Sequence, residues 1–374
     1  KFDNISLNKN DIKISNLKKL YSLDHLNKDT IDSFKVAINN IKKFHEKQFP
    51  ENYEIINMNA KLQSIWKPID SVGLYIPGGN AVYPSSLIMS VIPAQIAGVE
   101  RIVCVTPPTN NFNPYVAFLL DELGINEVYQ VGGAQSIAAL AFGTDTIQPV
   151  NKIFGPGNAY VASAKKQVFG KVGIDLVAGP SEIVVVADNN NNPEWVASDL
   201  MAQAEHDENA QSILITSSKD FAEKVLDNIE KLKNRVSKEE IINLSLQKHG
   251  LIILIDDLNL SYKIINRIGP EHLHLQSSEK EEILKKVNNA GGIFLGDYST
   301  EAFGDYVAGT NHVLPTSGAA KFSSGLGVID FMKKSSIVEI DKTSFNTLSK
   351  HVENIADVEN LDAHKLSVTI RQTK

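Results

Sequence analysis

The sequence predicts an α/β protein made of two doubly wound, Rossmann-like parallel-sheet domains, with N-terminal helices before them and a C-terminal helical tail after them. Three observations carry this reading. From about residue 70 onward, short runs rich in β-branched and aromatic residues alternate with stretches of helical periodicity, the pattern of an open parallel sheet covered on both faces. The alternation restarts after Ser181, which sorts the strands into two groups. A chain of 374 residues, 43% of them hydrophobic, is also long enough to bury two cores.

The elements follow in order. After Asp29-Thr30, Ile31, Phe34, Ile38 and Ile41 share one face while Lys42, Lys43, Glu46 and Lys47 lie mostly away from it, which predicts a packing helix. The first group then reads SVGLYIPGG, a helix from Ser85, RIVCVTPP, a helix near 114–123, EVYQVGG, a helix at 134–142, KIFGPG and a helix from Asn158. The second reads EIVVVAD, a helix at 193–206, SILITSS, two helical stretches within 219–248, LIILIDD, HLHLQ, a helix at 279–289 and GIFLGDY. Between Tyr298 and Leu326 the pattern gives way to a glycine-rich segment, and a loop of that length inside a compact chain is usually functional. Helical periodicity returns from Lys342, where no strand is expected to join either sheet. The expected division is 1–73 with 181–328 as one discontinuous α/β domain, 74–180 as the other, and 329–374 as a tail that packs on another subunit.

Charge and composition narrow the function classes. A net charge of −7 and the lack of a basic cluster argue against a nucleic-acid partner. The longest apolar run, Leu87 to Val99, is short and contains Pro93, so no membrane span is expected. No basic-then-apolar leader is visible, although the sequence starts at Lys1 without Met, and the cytoplasm is the expected location. Cys104 is the only cysteine. It excludes an internal disulfide and a cysteine-rich zinc knuckle, and its setting in RIVCVT predicts a buried, inert thiol.

Four places could carry chemistry. Asn192-Pro193 is a helix start, because Asn accepts from the free amides of the first turn and Pro at the first position loses nothing. Val196, Leu200 and Gln203 then form one stripe, with His206 one turn beyond Gln203, so both polar side chains can reach one point near the helix C-terminus, where the macrodipole favours a cation. Alone, Gln-x-x-His fits either a metal site or two polar residues satisfied by backbone groups, and the latter is commoner. Gly78-Gly79, Gly132-Gly133 and Gly155-Pro156-Gly157-Asn158 follow strands and could bring amides close to a phosphate, but none matches G-x-G-x-x-G. Glu271-His272 opens a strand and could form a general acid/base pair, with His274 given only a structural role on the same side. GDY occurs at 296–298 and 304–306, and Asp305, His312 or the tail's His364 could complete a metal shell; an aspartate beside glycine is as often a turn former.

Taken together, GLYIPGG, VGGAQSIAALAFGT, IFGPGNAYV, AGPSE, SDLMAQAEHD, GPEHL, GDYVAGTNHVLPT, SSGLGVIDF and LDAHK closely resemble the histidinol dehydrogenase family, in the right order over about residues 73 to 370. The resemblance implies oxidation of L-histidinol to L-histidine through L-histidinal, with two hydride transfers to NAD. It implies zinc held by Gln203, His206, Asp305 and His364, with Glu271 and His272 as the acid/base pair. Ser181, Gln203, His206, His272, Asp305, Glu359 and His364 would bind substrate, and Tyr75, Gln135 and Asn158 would contact NAD. It also implies a homodimer whose last helices are exchanged, so that Glu359 and His364 come from the partner chain. The chain is shorter than most members at its N-terminus, and residues before 70 and His274 match nothing carried across. Three rivals remain on residues alone. A zinc alcohol dehydrogenase would need cysteine ligands, a zinc hydrolase would not need NAD, and a non-enzymatic two-lobed binding protein would share only the fold.

Overall fold

A computed structural model describes residues 5, 7–8, 11–78, 83–177 and 179–372. It divides into two compact units, Lys1–Gln48 with Asp70–Phe331, and Phe49–Ile69 with Met332–Lys374. The first unit contains two five-stranded, wholly parallel sheets, so the doubly wound α/β architecture is present twice.

Both sheets are wound alike. In the first, the chain starts in the middle at Ser71–Tyr75, moves outward through Arg101–Thr106 to Glu127–Gln130, then returns to the other side of the first strand with Lys152–Phe154 and Gly173–Ile174. In the second, Glu182–Val186 is central, Gln211–Thr216 and Leu251–Leu254 lie on one side, and His272–Leu275 and Gly292–Leu295 lie on the other. Central strands are covered on both faces, which is why residues 183–186 are apolar without alternation and the whole strand Glu182–Val186 is buried. Local chemistry sets the helix starts: Asn113, Asn158 and Asn192 each accept from amides of the first turn, and Pro84, Pro114 and Pro193 stand at first helical positions. Pro84–Ala97 runs through Pro93, and among the described residues no helix is long and apolar enough to cross a membrane.

Two findings differ from the expected division. The first sheet begins at Ser71, so a boundary at 73/74 would cut its central strand. The N-terminal segment does not belong to the second sheet alone. Residues 12–14 pair with that first sheet's edge, Ile14 donating to Val128 and Gln130 to Ile12, while Asn40 on helix Lys28–Glu46 donates to the Val307 carbonyl.

The second unit contains a three-stranded antiparallel sheet ordered Tyr53–Asn57, Ala60–Pro68, Met332–Glu339, followed by helices Lys342–Val358 and Asp362–Gln372. Met58 and Asn59, both at positive φ, turn the hairpin. The tail therefore opens with a strand where only helix was expected. Met332–Glu339 hides its strand character because all but its first residue are exposed, so no buried face imposes an apolar alternation.

Candidate active site

Helix Pro193–Ala204 begins as its sequence dictates, with Asn192 accepting from Glu194 and Val196, Leu200 and Gln203 buried on one side. It ends two residues earlier than expected. Glu205 caps it, and the turn carries on only as far as the His206 amide, which donates to the Gln203 carbonyl. Gln203 is consequently fully buried while the His206 side chain is 37% exposed.

This helix C-terminus faces the N-terminal ends of two adjacent strands. Register pairs His272 with Ile183, which sets Glu271 beside Glu182. The Glu182 amide donates to Glu271 Oε2 at 3.0 Å, and Glu182 Oε1 accepts from the Ser317 amide at 3.0 Å. His272 Nδ1 lies 3.2 Å from the Glu182 carbonyl oxygen and 3.7 Å from Glu271 Oε2. Its Nε2 lies 3.8 Å from Asp305 Oδ1 and, buried, finds no hydrogen-bond partner among the described residues. Asp305 arrives on the short helix Glu301–Tyr306, whose first residue, Glu301, is 3% exposed. With its amide nitrogen turned toward the surrounding acceptors, Gln203 donates to both Glu301 carboxylate oxygens at 3.3 and 3.2 Å.

The geometry thus brings Gln203, His206, Glu271, His272 and Asp305 together, and adds Glu182 and Glu301. Ligand atoms of His206, Glu301 and Asp305 all lie within 4.8 Å of one another. His312 supports this cluster from outside: its ring nitrogens face the Asp305 carbonyl at 3.0 Å and Ser86 Oγ at 3.3 Å. A cavity of about 710 Å³ opens onto His272, Asp305 and His312, with Phe294 and Phe303 among its walls.

So many acids in one buried place shift each other's proton affinities. Burial pushes Glu271 up to about 7 and Glu301 up to about 8, the neighbouring carboxylates adding to the effect and His272 opposing it. Burial acts to lower His272, yet Glu301, Asp305 and Glu271 hold its proton and the balance lies at about 10. Burial works against ionisation of Asp305 too, but its contact with His272 and the nearby His312 and His206 keep it below the ordinary carboxylate value.

Glu301 and Glu182 were not foreseen. Glu301 stands four residues before Asp305, a spacing that puts two carboxylates on one helical face and was readable in EAFGD. Glu182, next to Ser181, carried no such signal because strand pairing alone brings it to Glu271. Ser181 is half-buried immediately before the same strand, its carbonyl accepting from the Gln211 amide. Glu359 caps helix Lys342–Val358 and His364 lies on Asp362–Gln372; both are exposed and belong to the second unit.

The residues expected at NAD gather at the opposite kind of end. Tyr75 closes the central strand of the first sheet, and Gln135 and Asn158 are exposed at the N-termini of helices Gly133–Phe142 and Ala159–Val168. Strand order reverses between Ser71–Tyr75 and Lys152–Phe154, the crevice where open α/β sheets take ligands. Gly155 sits beside it at φ +109, and a Cβ there would lie 2.2 Å from the Tyr75 carbonyl oxygen. The Gly155 amide donates to buried Asp175, which pairs with Lys165, and Lys165 donates back to the Gly155 carbonyl. Gly79 of the first glycine turn lies outside the described residues.

The sequence model of the histidinol dehydrogenase family matches residues 1–372. Histidinol dehydrogenase of Brucella suis biovar 1 is 46% identical over 373 residues, spanning 99% of this chain and 87% of its own. That of Rhodospirillum rubrum is 48% identical over 346 residues, 92% and 80% of the two chains. The crystal structure of histidinol dehydrogenase from Elizabethkingia anophelis superposes with a TM-score of 0.94 at 36% identity, covering all of this chain and 86% of that one. A propionaldehyde dehydrogenase from Clostridium phytofermentans, 12% identical over 84% of this chain and 93% of that one with a TM-score of 0.51, shares the fold alone.

Proposed function

This chain belongs to the histidinol dehydrogenase family of oxidoreductases, and from that premise we propose that it oxidises L-histidinol to L-histidine through L-histidinal, passing two hydrides to two NAD, as the closing steps of histidine biosynthesis. The observation that carries the proposal is the convergence of Glu271, His272, Gln203, His206 and Asp305, of which His272 and Asp305 line one cavity.

Zinc fits the residues present. Donor atoms of His206, Glu301 and Asp305 within 4.8 Å of one another form a nitrogen and oxygen set, with Gln203 against Glu301, and a buried group of carboxylates calls for a counter-charge. Gln203, His206 and Asp305 would hold the ion, joined by His364 of the partner chain. When bound, zinc would anchor the substrate's imidazole and amino nitrogens and neutralise the carboxylates that otherwise keep a proton on His272. NAD fits the crevice at Tyr75, Gln135 and Asn158, where two helix N-termini suit a pyrophosphate.

This chain's own residues then divide the proton work. In the first oxidation, His272 Nε2 takes the hydroxyl proton as hydride leaves the same carbon. The second oxidation needs a tetrahedral adduct, which a thiolate or water must form. Cys104 is 1% exposed and burial pushes its thiol far above the ordinary range, so water adds. Glu271, with a proton affinity near neutrality, deprotonates that water, and His272 again accepts the hydroxyl proton.

A homodimer with exchanged tails belongs to the same reading. The helices bearing Glu359 and His364 expose Ile355, Val358, Leu366 and Ile370, an apolar face suited to a partner subunit. Mixing a His364→Ala chain with a His272→Ala chain should then regenerate activity in verified heterodimers. Neither nucleic acid nor membrane enters, and the cytoplasm is the proposed location. The deciding assay is stoichiometry: NADH formed per histidinol consumed should approach two, and turnover without NADH would point to a hydrolase instead.

A further inference from the structure

His274 stands two residues beyond His272 on the same face of the strand, both rings lying near Phe294. It is completely buried. Its Nε2 donates to the Gly296 carbonyl at 2.9 Å, and its Nδ1 lies 3.2 Å from Asp199 Oδ2. Gln276 Nε2 completes the group, 2.7 Å from Asp199 Oδ2 and 3.1 Å from His274 Nδ1.

Each contact reaches a different part of the candidate site. Asp199, itself 5% exposed, lies one turn before Gln203 on the helix that leads to His206. Gly296 begins the turn, closed by the Ser299 amide on the same carbonyl, from which helix Glu301–Tyr306 and Asp305 emerge. The strand of His274 itself begins with His272. Main-chain bonds tie this strand to its neighbours, but the helix carrying Gln203 has no such ladder and depends on side chains for its position. One imidazole therefore links the Gln203 helix, the His272 strand and the Asp305 segment.

We infer that His274, acting with Asp199, is a positioning residue that fixes the spacing of Gln203 and His206 relative to Asp305 and so sets the metal affinity of the site. The inference rests on the proposed metal reading. Ligands must be held to within roughly 0.5 Å to bind well, and a buried ring with both nitrogens engaged is a stiff way to do so.

The test compares zinc affinity of full-length chains by competition with a chromophoric chelator. His274→Leu should weaken zinc binding by about 10-fold to 100-fold, the range for groups that support metal ligands. His274→Gln keeps a donor toward Gly296 and His274→Asn keeps one toward Asp199, so each should recover part of that loss. These two polar variants also decide the matter should the leucine chain fail to fold. Cobalt substitution adds a spectroscopic readout, since a displaced ligand set alters the visible absorption of bound cobalt. A role confined to stability would lower the melting temperature of the metal-free chain and leave zinc affinity and the cobalt spectrum unchanged, and that result overturns the inference. His206→Ala separates the two levels. If it abolishes zinc binding while all His274 variants bind normally, positioning by His274 is wrong; if it too leaves zinc binding intact, the metal reading fails and this inference falls with it.

Discussion

The two sheets of the first unit share one winding, and their candidate residues lie at opposite ends. In the first, Tyr75, Gln135 and Asn158 lie at the C-terminal ends of the strands, against the N-termini of two helices. In the second, side chains cross-link the loops at that end: Asp188 accepts from the Ser278 amide and hydroxyl, and Asn191 donates to the Gln276 carbonyl and to Asp297. The residues proposed for the proton transfers lie instead at the N-terminal ends, where Glu271 and His272 meet the C-terminus of helix Pro193–Ala204. Helix polarity accounts for the choice. A helix N-terminus favours an anion such as a pyrophosphate, while a C-terminus favours a cation. On the proposed reading, one topology supplies two binding ends of opposite sign.

The largest expected effect would break the comparison if the ends were not separable. Chelation should abolish turnover and added zinc restore it, and His206→Ala should lose both metal and turnover. NAD binding to the metal-free chain, followed by fluorescence or calorimetry, should persist. Loss of NAD affinity together with zinc would mean that the two sites are one.

Next in size are the losses at the strand mouth. His272→Asn should slow oxidation of histidinol and of histidinal alike, by about 100-fold to 10,000-fold. Glu271→Gln should impair histidinal oxidation far more than the first step, because only there must water become a nucleophile. Single-turnover NADH formation with each substrate reads this directly, and equal losses in Glu271→Gln would remove Glu271 as the water activator.

A smaller effect sharpens the description of the other end. Gly155→Ala places a Cβ against the Tyr75 carbonyl in a backbone conformation that disfavours side chains, costing about 1–3 kcal/mol. It should raise KM for NAD and leave zinc affinity unchanged. An unaltered KM for NAD would detach this turn from the cofactor.

The smallest difference is one of sign with pH. On the first sheet, Arg101 beside Glu127 holds its carboxylate below the ordinary value, so the stability it contributes is present above 4.5 and is lost as pH falls through the depressed value. The pair is part-exposed and contributes about 1 kcal/mol or less. On the second sheet, Glu271 is raised from 4.5 to about 7. Its unfolded form ionises first, so metal-free stability falls as pH rises across that interval. Melting temperatures of metal-free Glu127→Gln and Glu271→Gln chains against pH should flatten these opposite slopes.

Much of this contrast was legible beforehand, and the exceptions have physical causes. Central strands announced themselves because both faces are buried, and helix starts because Asn and Pro satisfy known first-turn requirements. Glu271-His272 was visible as a pair but ordinary by itself; its meaning depends on Asp305 and Gln203, which reach it only through tertiary structure. Glu182 was silent for the same reason. The strand Met332–Glu339 was missed because it is exposed along nearly its whole length, which removes the alternation that makes strands readable.

That same strand bears on how the polypeptide is made. Ala60–Pro68 forms its hairpin with Tyr53–Asn57 early, but its other neighbour, Met332–Glu339, is translated only after both α/β sheets. Throughout that interval one side of Ala60–Pro68 offers unpaired amides and carbonyls to any passing strand. The second unit must therefore close last on the ribosome's timetable, and the nascent hairpin, rather than either parallel sheet, is the segment most exposed to mispairing during synthesis.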